Sequence, residues 1–128
     1  MPAYDDSSFD PPAPIARVSL RNPESNETVI DVPMLIDSGS DLTLLPAAFV
    51  QQIGPNLPTE RDYELEAFDG TRTVARSVRL ELKFLKHKFT GRFVLLDSSC
   101  GILGRNVLNH FALVLDGPNL TWAESIAR

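Results

Sequence analysis

The residues with the clearest chemical potential lie in the segment LIDSGSDLTLLP, positions 35–46. An apolar run ends at Asp37, small residues follow at once, and Asp41 precedes a second apolar run. A carboxylate within reach of water can act as a general base. Gly39 leaves room for a second backbone or a substrate to come close. Taken alone, Asp37 fits equally well a loop residue that caps backbone amides.

A second segment, GILGRNVL at 101–108, follows roughly 60 residues later. Arg105 stands beside a glycine and among leucines, which predicts a paired guanidinium and not a solvated one. Segments 34–46 and 94–106 also echo each other: an apolar run, Asp-Ser, small residues and a leucine-rich continuation. Two similar half-domains folded together would explain this echo, and chance similarity is the alternative explanation. The second segment favours catalysis over amide capping for Asp37.

The two segments, in this order and with a hairpin between them, resemble the retropepsins, the single-lobe aspartic proteases of retroviruses, retrotransposons and their cellular relatives. The resemblance covers about residues 15–117. It implies a mainly β fold, a closed β-barrel acid-protease half-lobe with one or two short helices, acting as a symmetric homodimer. It also implies an aspartic endopeptidase that needs no metal and no cofactor.

Peptide hydrolysis of this type needs a base to activate water and an acid to protonate the carbonyl oxygen. Two carboxylates about 3 Å apart cannot both ionise, so they share one proton and supply both functions. Asp97 is one candidate for the second carboxylate, but no glycine follows it as Gly39 follows Asp37. The resemblance instead implies a second copy of Asp37 across a twofold axis.

The resemblance assigns roles by position. The catalytic set is Asp37, Ser38 and Gly39, where the Ser38 hydroxyl grips the partner loop. The substrate-binding set, which includes the flap hairpin over the peptide, is Ser40, Asp41, Ala67, Phe68, Asp69, Gly70, Thr71 and Leu103. The supporting set is Gly104, Arg105, which pairs with Asp41, and Asn106. Pocket walls are expected from Leu44, Val74 and Leu103.

Local patterns predict the elements that carry these residues. Alternating segments at 15–22 and 28–37 enclose the turn sequence PESNE and predict a hairpin, with Pro33 at an edge or bulge. Asp-Gly at 69–70 predicts a second hairpin. Proline and glycine bracket a short helix at 46–54, and one or two helical turns are expected at 104–110.

The terminal segments depart most from the family. Residues 1–14 hold four prolines and an acidic cluster, which predicts a flexible arm before the domain at 15–117. Residues 118–128 are expected to form a C-terminal segment with a strand near Trp122, a candidate for part of the dimer interface. Both boundaries are predictions.

The composition of the chain argues against several other functional classes. The net charge of −5 argues against non-specific nucleic-acid binding. The basic residues between Arg72 and Arg92 fit the solvent face of a sheet, since no aromatics are interleaved for base stacking. The chain has a single cysteine, Cys100, its N-terminus has no basic start, and no run of about 20 apolar residues occurs. These features predict a soluble intracellular protein without a membrane partner.

Two functions are compatible with these patterns. The first is a dimeric aspartic endopeptidase acting on peptides or proteins. The second is a retropepsin-like dimerisation or peptide-binding module with little or no turnover, since fold alone does not establish function. A chain that works only inside a larger polyprotein is a third hypothesis.

Overall fold

The structure is a computed structural model that describes residues 2–54, 59–66 and 69–125, with no side-chain description for 59–65, 73 and 74. The described residues form ten strands and two short helices. In chain order they are β1 (Tyr4–Asp5), β2 (Ala13–Arg21), β3 (Thr28–Ile36), β4 (Leu44–Pro46), α1 (Ala47–Gln51), β5 (Thr59–Glu66), β6 (Arg72–Phe84), β7 (His87–Leu96), β8 (Gly101–Leu103), α2 (Arg105–Leu108), β9 (Leu113–Asp116) and β10 (Thr121–Glu124).

Six of these strands close into a barrel. The main sheet has the order β1-β2-β3-β8-β4-β7-β6-β5, and a further pairing between β2 and β6 joins its two sides. Closure removes most free strand edges, which would otherwise be open to another chain. The mainly β barrel with two short helices confirms the predicted fold class.

The two echoed segments pair with each other reciprocally. The start of the first, Met34–Ile36, runs parallel to Gly101–Leu103 at the end of the second. The end of the first, Leu44–Pro46, runs parallel to Val94–Leu96 at the start of the second. Gly101 is needed at this crossing, because a Cβ there would lie 2.5 Å from the Leu44 carbonyl oxygen. The interlocked segments place both motifs next to each other on neighbouring strands of the barrel wall.

The predicted hairpins and helices form with small changes of boundary. Strand β3 continues past Pro33, and its parallel pairing with β8 begins only at Met34, so Pro33 lies where that side of the strand is unpaired. This agrees with the predicted edge position. Helix α1 is shorter than predicted, and Pro46 lies at its N-cap. No helix within the described ranges is both long and apolar enough to cross a membrane.

The two faces of β6 have opposite character. Val78, Leu80, Leu82 and Phe84 are buried in the core. The intervening residues face away from it, as side chains alternate along a strand. Arg79 and Lys83 are exposed. The prediction that the basic stretch lies on the solvent face of a sheet is therefore confirmed for these positions.

One ion pair ties β2 to β6 on the solvent face. Arg21 Nε and Nη2 donate to Glu81 Oε1 and Oε2 at 3.1 and 2.9 Å, and Arg21 Nη1 donates to Asn26 Oδ1 at 2.6 Å. Only 12% of the Glu81 side chain is exposed. The hydrogen bonds from Arg21 hold the pKa of Glu81 below its ordinary value of 4.5.

Replacing Glu81 by Gln should lower the thermal unfolding midpoint by a few degrees near neutral pH. A depressed folded-state pKa means that the carboxylate contributes stability above pH 4.5, and that this contribution is lost as the pH falls through the folded pKa. The two proteins should therefore converge in strongly acidic buffer. Thermal melts across pH check this, with Glu24→Gln at an exposed position as the control. A constant difference at all pH values would contradict it.

Residues 2–5 and 120–125, the described residues nearest the two chain ends, lie against the barrel. Ala3 bridges Thr121, Tyr4 N–H donates to Leu120 O at 2.8 Å, and Trp122 N–H donates to Pro2 O at 3.0 Å. Strand β1 pairs with the first residues of β2. Residues 2–5 thus make main-chain hydrogen bonds within the chain, where the sequence predicted a flexible arm. The strand expected near Trp122 is present as β10, and the domain boundaries remain predictions.

Trp122 anchors this terminal junction. Its side chain is 2% exposed. Its indole N–H donates to Ile15 O at 2.9 Å, and its ring lies 5.9 Å from that of Phe84, between ring centres. A buried indole with its donor satisfied contributes both apolar area and a fixed orientation.

Trp122→Phe should therefore destabilise the protein by about 1–3 kcal/mol, because the Ile15 carbonyl loses its donor and part of the ring volume is lost. Urea unfolding measures the effect. Phe49→Leu, at a half-buried position on α1, is the comparison for loss of ring volume without loss of a hydrogen bond. Equal effects of the two changes would show that the indole hydrogen bond contributes nothing.

Candidate functional site

Asp37 begins a tight loop at the end of β3. Its N–H donates to Leu103 O at 3.1 Å, its carbonyl accepts from Ser40 N–H at 3.2 Å, and its Oδ1 accepts from Gly39 N–H at 2.9 Å. The side chain is half-buried. Asp37 Oδ2 accepts no hydrogen bond from any residue that the structure describes. One carboxylate oxygen therefore orients the group while the other is available for chemistry.

Arg105 links the two motifs. Its Nη1 donates to Ser38 O at 2.7 Å, and its Nη2 forms a charge-assisted hydrogen bond with Asp41 Oδ1. Its backbone N–H donates to Ser40 O at 2.8 Å. The predicted pairing of Arg105 with Asp41 is present within one chain. Three groups on the loop therefore bind one residue of α2, which fixes the loop to the second motif.

Gly104 allows the motifs to lie this close. A Cβ at this position would be 2.1 Å from the Leu42 carbonyl oxygen and 2.9 Å from that of Ser40. Both neighbours are backbone atoms. The backbone of Gly104 is extended, with φ −94° and ψ −177°, so the requirement is for space and not for an unusual conformation.

Thr43 was not singled out from the sequence, yet it joins the two motifs in the core. Its hydroxyl donates to Asn106 Oδ1 at 2.7 Å and accepts from Gly104 N–H at 3.1 Å. Its residue exposure is 1%. The available signal was a hydroxyl between two leucines, because a buried polar group must find partners. Asn106 also donates its N–H to Asp41 O at 3.3 Å, as a supporting residue should.

The remaining predicted site residues near Asp37 differ in how far they are buried. Ser38 and Gly39 are exposed. The Ser40 hydroxyl donates to Leu42 O at 2.7 Å, within its own loop. Leu103 has no exposed surface and packs in the core, so its side chain does not line a surface pocket as predicted. Its carbonyl instead receives the Asp37 N–H.

The predicted flap is partly described. Thr71 N–H donates to Asp69 Oδ1 at 2.9 Å, which closes a turn over Gly70 at φ 87°. Hydrogen bonds from Thr71 lower the pKa of Asp69. Glycine suits the left-handed position at this tip. Ala67 and Phe68 lie outside the described residues, as does the side chain of Val74, so their predicted roles stay predictions.

Asp97 lies away from Asp37. Asp37 follows β3 and Asp97 follows β7, and β8 and β4 stand between these strands in the sheet. Because β3 is parallel to β8, β8 antiparallel to β4, and β4 parallel to β7, strands β3 and β7 run in opposite directions. Their C-terminal ends are therefore at opposite edges of the sheet, and the two strands are three strand positions apart around the barrel. Asp97 is not placed to share a proton with Asp37.

Other reactive side chains form no alternative centre among the described residues. No three His, Cys, Asp or Glu side chains come together there in a way that could hold a metal ion. Cys100 is half-buried, and desolvation raises the pKa of its thiol. A raised pKa reduces the thiolate fraction and hence nucleophilicity.

Comparison with known proteins agrees with the fold. No protein-family model matches the sequence, and no curated protein matches it either. Among solved structures, the chain is similar to the EIAV protease complexed with the inhibitor HBY-793. The TM-score is 0.60 and the identity 18%, over 77% of this chain and 86% of the EIAV chain. A likeness at this identity shows a shared retropepsin-like fold.

Proposed function

We propose that this protein is an aspartic endopeptidase, active as a symmetric homodimer in which Asp37 of each copy contributes one carboxylate of the pair. The main support is the Asp37 loop itself. It is tied to the second motif by hydrogen bonds with Leu103 and Arg105, while one carboxylate oxygen is free of hydrogen bonds from the described residues. The retropepsin-like fold is consistent with this function.

The geometry of the single chain favours a second copy. Two carboxylates are needed, one as the base and one as the acid. Asp97 follows a strand that ends at the edge of the sheet opposite to Asp37. Asp41 is already paired with Arg105. A twofold axis through the loop would bring an identical Asp37 and an exposed Gly39 from the other copy, with little side-chain bulk in the way.

In the proposed reaction, the ionised carboxylate takes a proton from water as the water oxygen attacks the peptide carbonyl carbon. The protonated carboxyl group gives its proton to the carbonyl oxygen, which forms a tetrahedral diol. The first carboxyl then protonates the amide nitrogen while the second, now ionised, takes a proton back from one diol hydroxyl. The C–N bond breaks, acid and amine products leave, and the pair again holds one proton. The substrate would lie as an added strand beneath the Asp69–Gly70 hairpin.

A digest of a mixed peptide library, read by mass spectrometry with and without pepstatin, tests this function directly. We expect pepstatin-sensitive cleavage and a dimer in sedimentation run alongside. Folded protein without cleavage would instead support the peptide-binding or dimerisation module. Cleavage by a species that sediments as a monomer would contradict the shared pair.

The pH profile gives an independent check. Because the pair works with one proton between two carboxylates, cleavage should be fastest at acidic to mildly acidic pH. Rates measured on one library-derived peptide across pH would show this. A rate that rises steadily into alkaline buffer would contradict the mechanism.

A further inference from the structure

The solvent face formed by β6 and β7 places like charges directly opposite each other. Lys83 faces Lys88, and Arg79 faces Arg92, with Glu81 opposite Thr90 between the two pairs. Directly opposed side chains on an antiparallel pair are about 5 Å apart at Cβ. Like charges at that spacing repel, so the Lys83–Lys88 pair costs stability that a Lys–Glu pair would not.

Among the residues that the structure describes on this face, Glu81 is the one carboxylate, and its hydrogen bonds come from Arg21 and not from the lysines. Glu81 has both oxygens bound by Arg21. Among the residues that the structure describes, Lys83 and Lys88 have no salt bridge with any Asp or Glu. Both are exposed. Three cations therefore surround a single carboxylate, which leaves local positive charge on a chain whose net charge is −5.

A groove lies at this position, where β2 meets β6. Its volume is about 260 Å³, and it is lined by Ser19, Leu20, Arg21, Thr28, Glu81, Lys83 and Lys88. The two ammonium groups and the Ser19 hydroxyl can donate to an anion. The Thr28 hydroxyl already donates to Asn26 O at 3.3 Å, and Leu20 is buried. The space suits one or two side chains of a bound segment.

The geometry points to an acidic segment of a polypeptide partner as the occupant, with its carboxylates between Lys83 and Lys88. The charge is complementary, and the two oxygens of a side-chain carboxylate can each accept a hydrogen bond from one of the two ammonium groups. The groove residues include no aromatic side chain on which a nucleic-acid base could stack. A flat anionic membrane or a continuous phosphate chain would also contact Glu81 and be repelled by it. A single side-chain carboxylate can bind between the lysines without that contact. This inference does not depend on proteolytic activity.

Fluorescence anisotropy with full-length Asp37→Asn protein tests the inference without cleavage. The probe is a short labelled peptide of alternating Glu and Ser, compared with a matched peptide of Gln and Ser. We expect saturable binding of the Glu peptide only, weakened by added salt. Lys83→Glu with Lys88→Glu should weaken it by about tenfold or more, because two attractive charges become repulsive.

A matched control places the same charge change elsewhere on β6. Arg72→Glu with Arg76→Glu alters two exposed cations of the same strand, several residues from the groove, and should leave Kd within about twofold. If the double Glu variant fails to fold, the variant Lys83→Gln with Lys88→Gln replaces it. It should weaken binding in the same direction.

Several outcomes would overturn the inference. These are equal binding of the Gln peptide, loss of binding only in the Arg72/Arg76 control, and tighter binding of a single-stranded DNA oligonucleotide or of phosphatidylserine vesicles than of the Glu peptide. Self-association of the protein that disappears in the Lys83/Lys88 variant would assign the groove to a second copy of this chain instead.

Discussion

Replacement of Asp37 by Asn should abolish peptide cleavage while leaving the protein folded and dimeric. An amide cannot accept a proton from the attacking water, and removal of a general base typically lowers a rate by about 10²–10⁴-fold. We expect a loss of about 10³-fold or more in kcat/KM, because both copies of the pair are altered at once. Library-derived peptides followed by mass spectrometry provide the measurement.

The fold should survive this change for a local reason. Asp37 Oδ1 accepts the Gly39 N–H at 2.9 Å, and the Oδ1 of asparagine can accept the same hydrogen bond. The loop also keeps its backbone bonds to Leu103 and Arg105, which do not involve the side chain of Asp37. Circular dichroism and sedimentation should therefore be unchanged, which separates loss of chemistry from loss of structure.

Asp97→Asn is the matched control. Asp97 is the corresponding residue of the echoed segment, is exposed, and follows a strand that ends at the opposite edge of the sheet. We expect full activity from this variant. Equal cleavage by wild type and Asp37→Asn would disprove the protease proposal. Loss of activity in Asp97→Asn with a retained fold would show that the second carboxylate comes from the same chain.

Gly104→Ala should destabilise the protein far more than a methyl group added at an open position of a strand. The new Cβ would lie 2.1 Å from the Leu42 carbonyl oxygen, a backbone atom that cannot rotate away. Either α2 or the loop at 40–42 must shift, which breaks the hydrogen bond from Arg105 N–H to Ser40 O. We expect a cost of about 3 kcal/mol or more. That is a large fraction of the roughly 5–15 kcal/mol that holds a domain folded.

Gly91→Ala is the control for this prediction. Gly91 lies within β7, and a Cβ there would meet no atom within 4 Å. The substitution also reduces the freedom of the unfolded chain, so it should be neutral or slightly stabilising. Urea unfolding of both variants measures the difference. A small cost for Gly104→Ala would mean that the two motifs are not packed as tightly as the structure shows.

If Gly104→Ala still folds, its activity reports on the site. Displacement of the 40–42 loop would move Asp41 away from Arg105 and loosen the support of Asp37. Cleavage should then fall together with stability, whereas Gly91→Ala should retain activity. This pattern would show that the supporting contacts between the two motifs matter for the proposed chemistry.

Local chemistry in the sequence was enough to predict much of the architecture. Alternation of apolar and polar residues marks strands such as β6, since period two is a property of each strand by itself. Asp-Gly at 69–70 marks a turn, and proline followed by glycine marks the short helix α1. The Asp37 and Arg105 motifs are also visible in the sequence, whereas the pairing of Arg105 with Asp41 was predicted from the resemblance to the retropepsins.

The tertiary structure decided which strand edges meet. The reciprocal pairing of β3 with β8 and of β4 with β7 puts Asp37 and Asp97 at opposite edges of the sheet. It also buries Thr43 between the motifs and Leu103 in the core. The same holds for the chain ends, which pair around Trp122. Periodicity describes one strand, whereas contacts between residues far apart in sequence depend on how all the strands pack together.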